Sequence, residues 1–175
     1  MKNLKKLVLV LAVATATTFS SCTKSDPVAT VAAITSGSGN ITATIAGSAF
    51  QSSIVSNISL QGNIVTIQGG DASGRSIQIQ IIGLATAPVA GTYKLYDTPG
   101  NFTGSAVLVN GVNQTYSSQG CDANLPQTGF THTGTITFTT LSTAKIEGTF
   151  QFNAASLQSC TNSLQVTAGT FSKTF

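Results

Sequence analysis

Apolar and polar residues alternate with a period of two along most of this chain. The alternation is clearest at residues 76–81, where glutamine and isoleucine alternate, and at residues 134–139, where threonine takes the polar positions. Successive side chains of a β-strand point to opposite faces of a sheet, so this period is typical of half-buried strands. Seventeen glycines and frequent threonines also favour turns and strands over helices. The sequence therefore predicts a single all-β domain over residues 41–175.

The same test predicts about ten short strands separated by turn residues. Asn110-Gly111 is expected to form a two-residue turn, because both residues accept the positive φ of a type I′ turn. Residues 145–152 are expected to pair with the preceding strand as an antiparallel hairpin. This pattern fits an antiparallel β-sandwich or a partly open barrel. The predicted strands are residues 41–46, 54–60, 64–68, 76–81, 92–96, 105–109, 112–117, 134–139, 145–152 and 164–172.

The first 22 residues have the parts of an export signal. Three lysines within the first six residues form a basic start. Residues 7–14 are an apolar run that is too short to span a bilayer as a helix. Small residues follow and end in Ser20-Ser21-Cys22. Residues 1–21 are therefore interpreted as a signal peptide that is removed from the mature protein.

Small residues directly before a cysteine resemble the lipobox of bacterial lipoproteins. The resemblance implies that the Cys22 thiol receives a diacylglycerol and that Cys22 becomes the N-terminus of a lipid-anchored protein. Phe19 stands where the pattern usually has leucine. The alternative is ordinary signal cleavage, for example after Ala16, which would leave Cys22 a free thiol. Residues 22–40 are rich in Ala, Thr, Ser and Gly and are predicted to be a flexible tether.

The cysteine count agrees with acylation of Cys22. The chain has three cysteines, so acylation leaves Cys121 and Cys160, which an exported protein can keep as a disulfide. Their spacing does not fit a Cys-x-x-Cys redox or zinc motif. They also lie in the loops that enter and leave the predicted hairpin, at one end of it. We therefore predict a Cys121–Cys160 disulfide that stabilises the fold by about 4 kcal/mol in the chain-entropy model.

Charge and motif content argue against several functions. Only 7% of the residues are charged, and beyond Cys22 five basic and five acidic residues balance, with no cluster of lysine and arginine to bind nucleic acid. His132 is the only histidine, and no Gly-x-Ser-x-Gly motif accompanies it. Asp71 and Asp97 at predicted strand ends are interpreted as solvated turn residues rather than a hydrolytic pair or a calcium site. We predict no catalytic residue, no metal ligand and no cofactor.

A few aromatic and loop residues are candidates for ligand binding. Tyr96 shares a predicted strand face with Lys94 and is expected to be exposed, flanked by Phe102 and Tyr116. An aromatic platform of this kind would suit a carbohydrate, because its rings are apolar with a polar tip. Residues 118–131 form a long loop, which is expected to lie at the rim of any site. Its candidate ligand-binding residues are Asp122, Asn124 and Phe130.

Four segments, at residues 42–50, 91–93, 146–150 and 166–171, resemble a known family. The family consists of small all-β lipoproteins of unknown function, mostly from Bacteroidota. The resemblance covers nearly the whole mature domain and implies an envelope location and an all-β fold, but no catalytic residues. Surface-exposed lipoproteins of that phylum often carry an acidic cluster after the cysteine, whereas residues 23–26 contain one acid.

These observations predict a lipid-anchored envelope protein at the outer membrane. Both a periplasmic and a surface-exposed domain are compatible with the sequence. The expected function is a non-enzymatic binding or scaffolding module. The alternative is a glycan-binding accessory module of an outer-membrane uptake system, and a hydrolase is least favoured. The expected partners are the membrane, reached through the lipid anchor, and a glycan or another envelope protein.

Overall fold

The computed structural model of the protein describes residues 39–96, 98–112, 114–120, 130–158 and 162–175, and these residues form strands and no helix. The predicted all-β class is therefore confirmed. No described residue belongs to a helix that is long and apolar enough to cross a membrane. The strands described are β1 (Asn40–Ile45), β2 (Ser48–Gln51), β3 (Val55–Gln61), β4 (Ile64–Gly70), β5 (Arg75–Gly83), β6 (Gly91–Lys94), β7 (Phe102–Asn110), β8 (Thr115–Ser117), β9 (Gly134–Leu141), β10 (Lys145–Ser156) and β11 (Ser163–Thr174).

The described strands form one antiparallel sheet that curls into a half-barrel. The strand order is β2-β1-β11-β10-β8-β7-β5-β4-β3. β9 pairs with β10 over Ile146 to Phe152, β8 pairs with β10 over Ala155 and Ser156, and β6 pairs with β9. Of the two predicted architectures, the partly open barrel is therefore the correct one. The predicted hairpin of β9 and β10 is also present.

Apolar residues at alternate strand positions fill the inside of the half-barrel. β5 shows the pattern, since Ile77, Ile79 and Ile81 are at most 1% exposed while Gln78 between them faces solvent. Strands β9 to β11 contribute phenylalanines, and the rings of Phe138 and Phe171 meet edge to face at 5.5 Å. Burying each of these side chains stabilises the fold by about 1.5–3 kcal/mol.

No backbone pairing among the described residues joins β3 to β1 or β11. Hydrogen bonds from side chains connect these strands instead. Lys173 is buried on the inner face of β11, and its Nζ donates to the carbonyl of Ile58 in β3 at 2.9 Å. Burial lowers the pKa of this ammonium group. The hydroxyl of Ser56 in β3 donates to the carbonyl of Gly39, just before β1. These bonds hold the free end of the curled sheet in place.

The structure adds one strand that the sequence did not predict. β2 pairs with β1 through a tight turn at Ala46 and Gly47, whose φ angles are 47° and 82°. Two positive φ angles are typical of a type I′ turn, but alanine rarely adopts one. The predicted first strand therefore runs one residue too far and includes Ala46. β2 itself has only one buried residue, Phe50, and so has no clear alternation.

The predicted two-residue turn at Asn110-Gly111 is wrong. β7 continues to Asn110, whose N–H donates to the carbonyl of Gln114 at 2.9 Å, and β8 begins only at Thr115. Val112, placed in a strand by the prediction, is 88% exposed in this longer turn. The predicted strand over residues 112–117 is therefore reduced to its last three residues.

Asp71 lies in the turn between β4 and β5, but the interpretation of its side chain as solvated is wrong. The side chain is 9% exposed, and its carboxylate organises the turn. Its Oδ1 accepts from the N–H of Ser73 and the N–H of Arg75, each at 3.0 Å, and from the Ser73 hydroxyl at 2.7 Å. Its Oδ2 accepts from Nε of Arg75 at 2.8 Å. Arg75 Nη2 also donates to the carbonyl of Ala49 at 2.6 Å, which links this turn to β2.

Replacing Asp71 with alanine is expected to lower the free energy of unfolding by about 2 kcal/mol at neutral pH, because several charge-assisted hydrogen bonds are lost. Burial raises the pKa of Asp71, but the bonds from Ser73 and Arg75 outweigh it and hold the pKa below 3.8. A carboxyl group whose pKa is lower in the folded state than in the unfolded state stabilises the fold at pH values above its unfolded-state pKa. This stabilisation is lost as the pH falls through the folded-state pKa. Urea unfolding should therefore show a difference between wild type and variant that shrinks below about pH 4. A pH-independent difference would contradict this account.

The control is Glu147→Gln, at an exposed ion pair, which should lower the free energy of unfolding by less than the Asp71 variant does.

Candidate functional site

A groove of about 330 Å³ opens on the solvent face of β9, β10 and β11, beside the end of β6. We call it the Tyr96 groove. Its volume falls within the range of small-molecule sites, and its lining side chains are mostly polar and uncharged. Three buried residues, Gly134, Phe152 and Val166, also line it. The other lining residues are Lys94, Tyr96, Thr133, Thr135, Gln151, Asn153, Gln165 and Thr167.

Strand register brings these polar side chains together. Gln151 of β10 lies opposite Thr135 of β9, which in turn lies opposite Lys94 of β6. Asn153 of β10 lies opposite Gln165 of β11. Neighbouring strands are about 4.8 Å apart, so the row from Lys94 to Gln151 spans about 10 Å. The groove therefore presents side-chain amides and hydroxyls over a length suited to an extended polar ligand.

A bulge in β11 bends the wall of this groove. The register of β11 slips by one residue against both β1 and β10 at Thr167 and Ala168. Ala168 has a φ of 48°, and Gly169 follows with no room for a Cβ beside the ring of Phe150. Bulges bend a strand and redirect its side chains. The bulge lies where Thr167 joins the groove lining.

Buried hydrogen bonds fix the backbone that carries Tyr96. The preceding residue, Leu95, is fully buried, and its N–H donates to the carbonyl of Gly134 at 3.0 Å. The Leu95 carbonyl accepts from the hydroxyl of Ser118, which is itself fully buried and accepts from the N–H of Ala106 at 2.8 Å. β6 is therefore held on both sides just before Tyr96, and Tyr96 needs little ordering on binding.

Tyr96, which the sequence places on one strand with Lys94 and predicts to be exposed, lies two residues beyond the end of β6 and lines the groove together with Lys94. Nζ of Lys94 is 5.6 Å from the centre of the Tyr96 ring, a cation–π geometry. Tyr96 is half-buried and Lys94 is exposed. One face of the groove is therefore an aromatic ring with a cation beside it.

His132 extends this aromatic surface, a role that the sequence did not predict. Its ring centre is 6.4 Å from that of Tyr96 and 4.9 Å from that of Phe130, which it meets edge to face. Since the carbonyl of Ser118 can only accept, Nδ1 of His132 is the donor in their 3.2 Å contact. Alternation backwards from the buried Gly134 would turn His132 toward the core, so no local pattern predicted this contact.

Phe102 and Tyr116 do not flank Tyr96, so this part of the predicted platform is wrong. Tyr116 is 8% exposed and belongs to the core, because β8 lies between β7 and β10 and turns this ring inward. Phe102 packs edge to face against Tyr93, with ring centres 5.0 Å apart. Tyr93 in turn contacts the core residue Phe138.

Several predicted residues lie outside the described residues. These are Cys22, Cys121, Asp122, Asn124 and Cys160, so the lipid anchor and the disulfide remain predictions. The first residues of the predicted loop, 118–120, are described, and hydrogen bonds hold them to neighbouring strands. Gln119 Nε2 donates to the carbonyl of Gly104 at 2.8 Å, next to the bonds of Ser118.

A second depression of about 390 Å³ lies on β1 and β2, between Thr42, Thr44 and Gln51. Its aromatic residue, Phe50, is buried and offers no exposed ring. Among the residues described, no three His, Cys, Asp or Glu side chains come close enough to hold a metal ion. The Tyr96 groove is therefore the better candidate site.

Comparison of the chain with protein-family models, with curated proteins and with solved structures found no match.

Proposed function

We propose that this protein is a lipid-anchored, non-enzymatic binding module of the bacterial envelope and that the Tyr96 groove binds a glycan. The observation that carries the proposal is that Tyr96 lines the same groove as three residues with side-chain amides, Gln151, Asn153 and Gln165. A pyranose ring has an apolar C–H face that packs on an aromatic ring. Its hydroxyls need partners that both donate and accept, and a carboxamide does both.

The arrangement supports binding rather than hydrolysis. Glycoside hydrolysis uses two carboxyl groups within about 10 Å of each other across the bond to be cleaved. The described residues that line the groove include no carboxylate. They do include several neutral hydrogen-bonding groups on paired strands, which are rigid supports for a binding surface.

The proposed cellular setting follows from the N-terminal segment. A signal peptide, an acylated Cys22 and a tether over residues 22–40 would hold the domain close to a membrane while leaving the groove accessible. A glycan-binding module at the outer membrane would concentrate oligosaccharides for uptake by a neighbouring transporter.

Replacing Tyr96 with alanine is expected to weaken glycan binding by about ten- to a hundredfold, or about 1.4–2.8 kcal/mol, because the stacking surface is lost. The matched control is Tyr96→Phe, which keeps the ring and should stay within about threefold of wild type. The mature protein, purified from membranes in detergent, would be screened on an array of bacterial and plant oligosaccharides. Affinities of the strongest binders would then be measured by calorimetry.

Two results would contradict the proposal. One is the absence of binding to any oligosaccharide on the array by the wild-type protein. The other is binding by the Tyr96→Ala variant with wild-type affinity. Thermal unfolding of both variants distinguishes loss of the ring from loss of the fold.

A further inference from the structure

Among the described residues that line the Tyr96 groove, Lys94 is the one that carries a charge. The described acidic side chains are those of Asp71 and Glu147, which form ion pairs with Arg75 and Lys145. The described contact of the Lys94 ammonium group is the face of the Tyr96 ring. A ligand in this groove therefore meets a positive charge that no described Asp or Glu side chain neutralises.

From this placement we infer that the groove selects acidic glycans, in which a uronic acid carboxylate pairs with Lys94 while the sugar ring stacks on Tyr96. This inference rests on the proposed function. The carboxylate of a uronic acid is attached at the edge of the pyranose ring. Nζ of Lys94 lies over the face of the Tyr96 ring, 5.6 Å from its centre. A sugar that stacks on this face would therefore displace the exposed lysine side chain toward the edge of the sugar, where the carboxylate is attached.

The rest of the groove fits the neutral part of such a ligand. Thr135 and Gln151 continue the row that begins at Lys94. At about 10 Å, this row accommodates roughly two pyranose residues. Lys94, at one end of the row, would set the orientation of the oligosaccharide. The side-chain hydroxyl and amide groups of the row would bind the hydroxyls of the sugar. A charge-assisted hydrogen bond is stronger than a neutral one, so the carboxylate should dominate selectivity.

The test compares uronic acid oligosaccharides with their uncharged counterparts. Calorimetry would use the mature protein in detergent with oligogalacturonate, alginate and unsulfated heparosan oligosaccharides, and with the methyl ester of each. We expect at least one acid to bind about tenfold or more tightly than its ester, and the preference to weaken as salt is added. Lys94→Gln should weaken binding of the acid more than binding of the ester and so reduce the preference to about threefold or less. Lys145→Gln, in an exposed ion pair away from the groove, is the matched control and should keep the full preference.

The outcomes separate this inference from the function on which it rests. If esters or neutral glycans bind as tightly as the acids, the groove is a glycan site but the acidic selectivity is wrong. If the Lys94→Gln variant retains the full preference for acids, the selectivity has another origin and the assignment to Lys94 is overturned. If neither acids nor neutral oligosaccharides bind, the proposed function fails together with the inference.

Discussion

A Cys22→Ser variant is expected to move almost entirely from the membrane fraction to the soluble fraction, or to accumulate as an unprocessed precursor. Serine has no thiol to accept the diacylglycerol, so the variant lacks the anchor that we propose. A single acyl chain gives only marginal membrane affinity, whereas two or more give stable anchoring. The expected change is therefore close to all-or-none. Immunoblots of separated membrane and soluble fractions would measure it, and mass spectrometry should find a triacylated N-terminal cysteine in the wild type.

Ser20→Ala is the matched control for this experiment. It keeps a small residue before the cysteine and should be processed and anchored like the wild type. The lipoprotein interpretation would be abandoned if Cys22→Ser matured normally and still fractionated with membranes. In that case the signal peptide would be cleaved near Ala16 in the ordinary way, and the protein would be attached to the membrane by other means.

Replacing Phe138 with alanine is expected to lower the free energy of unfolding by about 4 kcal/mol, the largest effect on stability that we expect from one substitution in the described core. Phe138 is 2% exposed, and its ring meets those of Tyr93 at 5.8 Å and Phe171 at 5.5 Å. The cavity left by the ring would lie inside the half-barrel. The hydrogen-bonded strands around it resist the movement that would fill it. Urea unfolding followed by circular dichroism would measure the loss.

Phe138→Leu should cost less than the alanine variant, because it fills part of the cavity. Val112→Ala, at a residue that is 88% exposed, should change stability by less than about 0.5 kcal/mol. A loss below about 1 kcal/mol for Phe138→Ala would mean that this ring does not pack as described.

The period-two pattern predicted most strands because the inner face of this sheet is buried almost without interruption. Burial of Ile77, Ile79 and Ile81 needs only their alternation with polar residues, which is visible locally. The burial of Tyr116 could not be found in this way. It depends on the position of β8 between β7 and β10, and the partner residues in β10 are about 40 positions away along the chain.

The candidate site was predictable only in part for the same reason. The shared face of Lys94 and Tyr96 follows from their spacing of two. Gln151 and Gln165 join them because β6 pairs with β9, about 40 residues further along the chain, and because β10 and β11 continue the sheet from β9. No local pattern reports which outward-facing amides become neighbours. Composition gave one correct indication, since a surface poor in charge must present amides and hydroxyls.

Nuclear magnetic resonance titration of the isotope-labelled mature protein tests the glycan-binding groove most directly. The titrant would be the oligosaccharide that binds most strongly on the array. We expect the largest shifts at the side-chain amides of Gln151, Asn153 and Gln165 and at the ring of Tyr96. Shifts that instead centre on Thr44 and Phe50, at the depression on β1 and β2, would contradict the account, as would the absence of a saturable shift with any oligosaccharide.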